Sequence, residues 1–156
     1  MRKIKILFVC HGNICRSPMA EFIFRDMVAK RGLSDLFTVE SAATSAEEIG
    51  NPVHPGTVRK LREYGICDVS GKYAVQFGKK DYEAYDYLVV MDRQNQRNLM
   101  RIIGADPECK VHKLLEYSDR PRDIADPWYT GNFEITYEDV IEGCETLLQH
   151  ILENDL

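Results

Sequence analysis

Near its start this chain switches hydrophobic period across one short loop. Ile4-Lys-Ile-Leu-Phe-Val-Cys10 is a nearly continuous apolar run that stops at His11-Gly12-Asn13. A run of that length, closed by Gly and Asn, reads as a strand buried on both faces. After Arg16-Ser17-Pro18 the period changes. Met19, Phe22, Ile23, Met27 and Val28 recur at helical spacing, with Glu21, Arg25, Asp26 and Lys30 between them. Ser17 suits an N-cap, Pro18 the first helical position and Gly32 a C-terminal stop. Strand, tight loop and helix in that order impose a crossover connection, and so a parallel sheet.

The rest of the chain repeats the alternation. Strands are expected at Phe37–Ser41, Asp86–Met91 and Lys110–Leu114. Helices are expected at about Thr57–Tyr64, Gln94–Ile103 and Glu134–Leu152, and loops at 43–56 and 117–133. The expected fold is α/β: a central four-stranded parallel sheet with helices on both faces. Ligands of such sheets sit beyond the carboxyl ends of the strands, where the loop after the first strand lies. No linker, repeat or low-complexity tract interrupts the 156 residues, which points to one domain over 1–156.

Charge and cysteine content narrow the function. Twenty Lys and Arg against 25 Asp and Glu leave a net charge of −5. That argues against a general nucleic-acid binder, whose footprint is basic, while leaving room for a small positive pocket. No run approaches the ~20 apolar residues of a membrane span, and no signal peptide is recognisable. The cysteines, at 10, 15, 67, 109 and 144, are odd in number and irregular in spacing. Free thiols in a reducing cytoplasm are expected.

The loop Cys10-His11-Gly12-Asn13-Ile14-Cys15-Arg16-Ser17 is built to hold a phosphate. N–H groups curling from strand into helix form an anion nest, and the helix N-terminus adds positive partial charge. Arg16 offers a two-pronged grip on phosphate oxygens. Gly12 and Asn13 tolerate the positive φ of a tight turn. A thiol at such a site ionises readily, so Cys10 is the candidate nucleophile, with Ser17 as hydrogen-bond donor to its thiolate. For a lone cysteine, burial at a strand end is the simpler reading; the full combination outweighs it here. A P-loop NTPase is set aside because Gly-Lys-Ser/Thr is missing. A zinc site on Cys10, His11 and Cys15 lacks a second ligand cluster.

Val9-Cys10-His-Gly-Asn-Ile-Cys15-Arg-Ser17-Pro18 resembles the signature of the low-molecular-weight protein tyrosine phosphatases. Ser41-Ala-Ala-Thr-Ser45, Ile49-Gly-Asn-Pro52, Tyr87–Asp92 with Asn95, and Asp126-Pro-Trp-Tyr129 resemble further family segments, in the same order. The resemblance implies a metal-independent, cofactor-free phosphomonoester hydrolase that acts through a phosphocysteine on phosphotyrosine proteins or aryl phosphates. Cys10, Arg16 and Asp126 would be catalytic, with Asp126 as acid and then base. Trp128 and Tyr129 would wall the pocket. A monomer, or at most a weak dimer, is expected. The resemblance also implies a redox role for Cys15, through a reversible disulfide with Cys10. Cys67, Cys109 and Cys144 read as small hydrophobes, and His54, His112 and His150 as surface or packing residues. An arsenate reductase of the same fold is the alternative, although it needs a downstream cysteine pair.

The chain departs from the family pattern at two places. Glu47 falls where an aromatic residue is common, which puts a carboxylate at the pocket rim. Gly71 and Val75 replace a frequent His and Arg, so the support of Asn13 is expected to be built differently.

Overall fold

The computed structural model describes residues 2–156. Four strands, β1 (Ile4–Cys10), β2 (Phe37–Ala43), β3 (Tyr87–Val90) and β4 (Val111–Lys113), form a parallel sheet in the order β2-β1-β3-β4. The apolar run at the N-terminus is the second strand of that sheet. Ile6 lies opposite both Val39 and Tyr87. Being central explains its lack of alternation, since both faces are covered. Ile4, Ile6 and Phe8 face a core shared with helices α1 (Arg16–Lys30) and α6 (Phe133–Asn154). Leu7 and Val9 face a second core with Leu99 and Ile103 of α4 (Arg93–Ile103).

Helix α2 (Pro55–Glu63) packs at the α1/α6 side, and α3 (Asp81–Ala84) is a single turn before β3. Gly56 in α2 is required by close approach: a Cβ there would lie 2.4 Å from the Phe133 ring at the start of α6. Phe8, Phe24 and Leu147 are fully buried in the larger core. Truncating one such phenylalanine to alanine costs about 3–5 kcal/mol. Among the described residues no helix is long and apolar enough to cross a membrane.

Several local expectations are corrected. The α1 cap position is Cys15, with no side-chain cap bond, so Ser17 and Pro18 sit inside the first turn. The Ser17 hydroxyl is used elsewhere, as described below. The loop expected over 117–133 contains a short helix, α5 (Pro127–Thr130). Asp126 caps α5, its Oδ1 accepting from the Trp128 N–H at 3.0 Å. Asp-Pro is an N-cap and N1 pair as well as a turn signal, and here it starts the helix. Cys67 and Cys109 are exposed rather than packed, and only Cys144 of the three is buried. The three histidines, by contrast, pack or pair at the surface as expected. His54 Nδ1 accepts from the Gly56 N–H and its ring stacks on Phe133. His112 pairs with Glu116, and His150 stacks on Tyr117.

Candidate active site

β1 delivers Cys10 to the carboxyl edge of the sheet, where the chain turns directly into α1. Its side chain is almost wholly covered, and two groups point at the sulfur. The Ser17 hydroxyl lies 3.0 Å from Sγ, and the Asn13 backbone N–H donates to Sγ at 3.3 Å. Both are hydrogen-bond partners suited to a thiolate.

Asn13 is the bracket of the loop. Its φ is +60°, in the left-handed region where Asn is one of the few tolerated side chains. Gly12, expected to share that role, keeps a negative φ. Its lack of a side chain serves a close approach instead, since a Cβ would sit 3.3 Å from Glu48 Cγ. The Asn13 amide donates to Ser17 Oγ at 2.8 Å and Ser41 Oγ at 2.9 Å, and its oxygen accepts from the Val75 N–H at 3.1 Å. The last bond explains how the chain manages with Val75: a backbone group, independent of the side chain, satisfies Asn13.

Arg16 is only 2% exposed. Its Nη1 donates to Asp92 at 2.6 Å and to the Ile124 carbonyl at 2.8 Å, while Nη2 faces Asp126 Oδ2 at 3.4 Å. Burial alone would lower the guanidinium pKa. Cys10, Asp92 and Asp126 outweigh it and hold the group above its ordinary value. Asp92 also caps α4 by accepting from the Asn95 N–H, so one carboxylate fixes both the helix and the arginine. Asn95, buried, accepts from the Met91 N–H.

Asp126 arrives from the far side, after β4. The segment is anchored where Ile124 N–H donates to Met91 O and Thr136 Oγ1 donates to Ala125 O. Asp126 itself is extended, as a residue before proline must be.

These groups surround a cleft open to solvent, lined by Cys10, Cys15, Arg16, Asp126 and the rim. His11, Gly12 and Ile14 form its loop side. Glu47 stands at the rim, 2.9 Å from His11 Nε2. Trp128 and Tyr129 form the opposite wall and are 57% and 82% exposed, so they are not packed into the core. Cys15 is buried within the same loop, and burial followed by the Cys10 charge pushes its thiol up to about 12. Cys15 is therefore a neutral thiol at neutral pH.

Sequence reasoning missed the contacts that hold the site from a distance. Asp92 and the Ile124 carbonyl grip Arg16, and Ser41 donates to Glu21 of α1. Asp92 and Ser41 stand in segments that resemble the family, but nothing there names their partners, and Glu21 left a trace only as a charged residue among the apolar positions of a buried helix.

Comparison with known proteins agrees with this geometry. Residues 5–155 match the family described as low molecular weight phosphotyrosine protein phosphatase. The chain is 43% identical over 150 residues to low molecular weight protein-tyrosine-phosphatase YfkJ of Bacillus subtilis, covering 95% of this chain and 96% of that one. It is 39% identical over 152 residues to PtpA of Staphylococcus epidermidis, a protein of the same description, covering 97% and 96%. The crystal structure of YfkJ superposes with a TM-score of 0.95, over 100% of this chain and 99% of that one. The arsenate reductase alternative finds no support in these relatives. The chain belongs to the low molecular weight protein-tyrosine-phosphatase family, whose members are cysteine-dependent hydrolases.

Proposed function

We propose that the chain hydrolyses phosphotyrosine and aryl phosphate esters as a single domain over 1–156, with Cys10 as nucleophile and Asp126 as acid and then base. The observation that carries this reading is the convergence of Cys10, Arg16 and Asp126 on one cleft, with two groups pointing at the sulfur. The thiolate attacks phosphorus in line while Asp126 protonates the departing phenolic oxygen, and a phosphocysteine forms. Asp126, now a carboxylate, takes a proton from water, which displaces Cys10 and releases phosphate. Arg16 and the loop N–H groups from His11 to Ser17 stabilise the equatorial oxygens. Asp92 and the Ile124 carbonyl hold Arg16 in place, so little reorganisation is needed as charge develops.

The rim sets specificity. Glu47, Glu48 and His11 line one side of the cleft, and Trp128 and Tyr129 the other. Aromatic walls favour an aryl ester over a short alkyl one, and the carboxylates favour neutral or basic residues beside the phosphotyrosine. Cys15 serves as a redox guard for Cys10. The protein works in the cytoplasm as a monomer or weak dimer.

Turnover of p-nitrophenyl phosphate and of a phosphotyrosine peptide, measured with EDTA present, tests the assignment. Cys10→Ser must abolish both, and residual turnover would overturn it. An unchanged kcat/KM for acidic phosphotyrosine peptides in Glu47→Tyr would overturn the rim reading.

A further inference from the structure

Glu21 lies on the face of α1 turned toward the sheet, with its side chain 3% exposed. A carboxylate so covered needs counter-charge and hydrogen bonds. Arg25, one turn on, reaches Oε2 at 2.8 Å but is itself half exposed. Ser41 Oγ donates to Oε1 at 2.5 Å. Lys72 comes from the segment before Asn13's partner Val75. Its ammonium donates to the Ser41 carbonyl at 2.8 Å, lies 3.5 Å from Glu21 Oε1, and is largely covered. The other charged or titratable neighbours are Tyr85 and, beyond it, Glu40.

These contacts join the loop bonds into one chain with a defined direction. Ser41 has a single proton and gives it to Glu21. Its lone pairs therefore face Asn13, whose NH2 donates to Ser41 and also to Ser17. Ser17 Oγ, acting as acceptor from Asn13, has its own proton left for Cys10 Sγ at 3.0 Å. The order Glu21, Ser41, Asn13, Ser17, Cys10 thus ends in a donor aimed at a thiolate. A neutral Glu21 could donate to Ser41 and remove the constraint that orders the chain. Whatever keeps a full negative charge on Glu21 therefore acts on the sulfur four bonds away.

We propose that Lys72 is a positioning residue for the phosphatase reaction. As the most covered counter-charge to Glu21, it fixes the donor and acceptor order that delivers the Ser17 hydroxyl to Cys10. The inference rests on Cys10 as nucleophile. It goes beyond that reading by assigning a residue outside the cleft. Lys72 does not line the cleft.

The test compares Lys72→Met, Lys72→Arg and the double variant Lys72→Met/Glu21→Gln, all in a Cys67→Ser/Cys109→Ser background that removes the exposed thiols. Two readouts are taken against pH: kcat/KM for p-nitrophenyl phosphate, and the rate of iodoacetate alkylation of Cys10. Lys72→Met is expected to lose roughly tenfold in kcat with little change in KM, and to move the acid limb of both profiles up by about one pH unit. Lys72→Arg keeps the charge and should stay near the parent. Glu21→Gln in the double variant restores an acceptor to Ser41 that needs no counter-charge, so most of the loss should be recovered. A parent-like Lys72→Met overturns the proposal. So does a loss that merely follows a lower Tm with unmoved acid limbs, and so does a double variant no better than the single. Absence of turnover in the parent would instead count against the phosphatase assignment, while the alkylation profile would still decide the role of Lys72.

Discussion

The two halves of the cleft are built in opposite ways. The Cys10–Ser17 loop is sunk between β1 and α1, and Asn13, Arg16 and Ser17 are each at most 2% exposed. The side chains of all three are hydrogen-bonded within the protein. The opposite side, Asp126 to Tyr129, rides on a single helical turn with its two aromatic residues in solvent. It is held mainly at its base, by Ile124, Ala125 and Arg122. The difference matches the proposed chemistry. Attack on phosphorus needs a fixed sulfur and a fixed cradle, because electrostatic stabilisation is strongest when nothing must reorganise. Leaving groups vary with substrate, so a wall that adapts on its surface costs less there. Changes in the buried half should therefore reduce activity and stability together, and changes in the exposed half should separate them.

Asp126→Asn should show the largest effect in the exposed half: turnover of a phosphotyrosine peptide falls by about 10²–10⁴-fold, with Tm nearly unchanged. The loss should be smaller for p-nitrophenyl phosphate, whose leaving group needs less protonation. Equal losses for both esters would contradict an acid role. Arg16→Lys should cost about 10²–10³-fold in kcat, since one ammonium cannot hold Asp92, the Ile124 carbonyl and phosphate at once. Urea melts should also show it destabilised, because it leaves polar groups unpaired in a covered site.

Asn13→Ala sharpens the contrast. It removes one hydrogen bond each from Ser17, Ser41 and the Val75 N–H, and a hydrogen bond of this kind contributes about 0.5–1.5 kcal/mol net. Equilibrium unfolding and kcat should both fall. Trp128→Ala, in the exposed half, should change stability by no more than about 0.5 kcal/mol. Its effect should appear as a few-fold rise in KM for aryl substrates.

The smallest effect is a pH dependence at the base of the Asp126 segment. Arg122 is clamped between Asp139 at 2.7 Å and Glu142 at 3.0 Å of α6. Its hydrogen bonds, with one from Ser118, lower the Glu142 carboxyl to about 2 despite burial. A carboxylate with a depressed folded pKa contributes stability above its unfolded value of ~4.3. That contribution is lost as pH falls from there to about 2. Glu142→Gln should therefore flatten the decline of Tm across that window. An unchanged slope would show that the clamp does not hold the segment.

Legibility in the sequence followed the range of each interaction. The β1–loop–α1 unit could be read because its period, its caps and its chemistry lie within adjacent residues. Edges were less certain where two signals coincide: Asp126-Pro127 serves as turn and as helix start, and Ser17 looks like a cap although its hydroxyl is committed to Cys10. Cys67 and Cys109 were misread because a small apolar residue carries no sign of which way it faces. Asp126 could be proposed from its neighbours, but no spacing tells that it faces Arg16 across 110 positions.

The amino-acid sequence by itself determined the α/β alternation, the central strand and the loop from Cys10 to Ser17, because each is written in hydrophobic period or in contiguous residues. Only the tertiary structure decided how the loop is held. Asp92, the Ile124 carbonyl, Glu21, Ser41 and Lys72 come from separate elements. They meet because sheet order and helix packing bring them to one edge. Such contacts have no period and no fixed spacing, so their geometry exists only once the chain has folded.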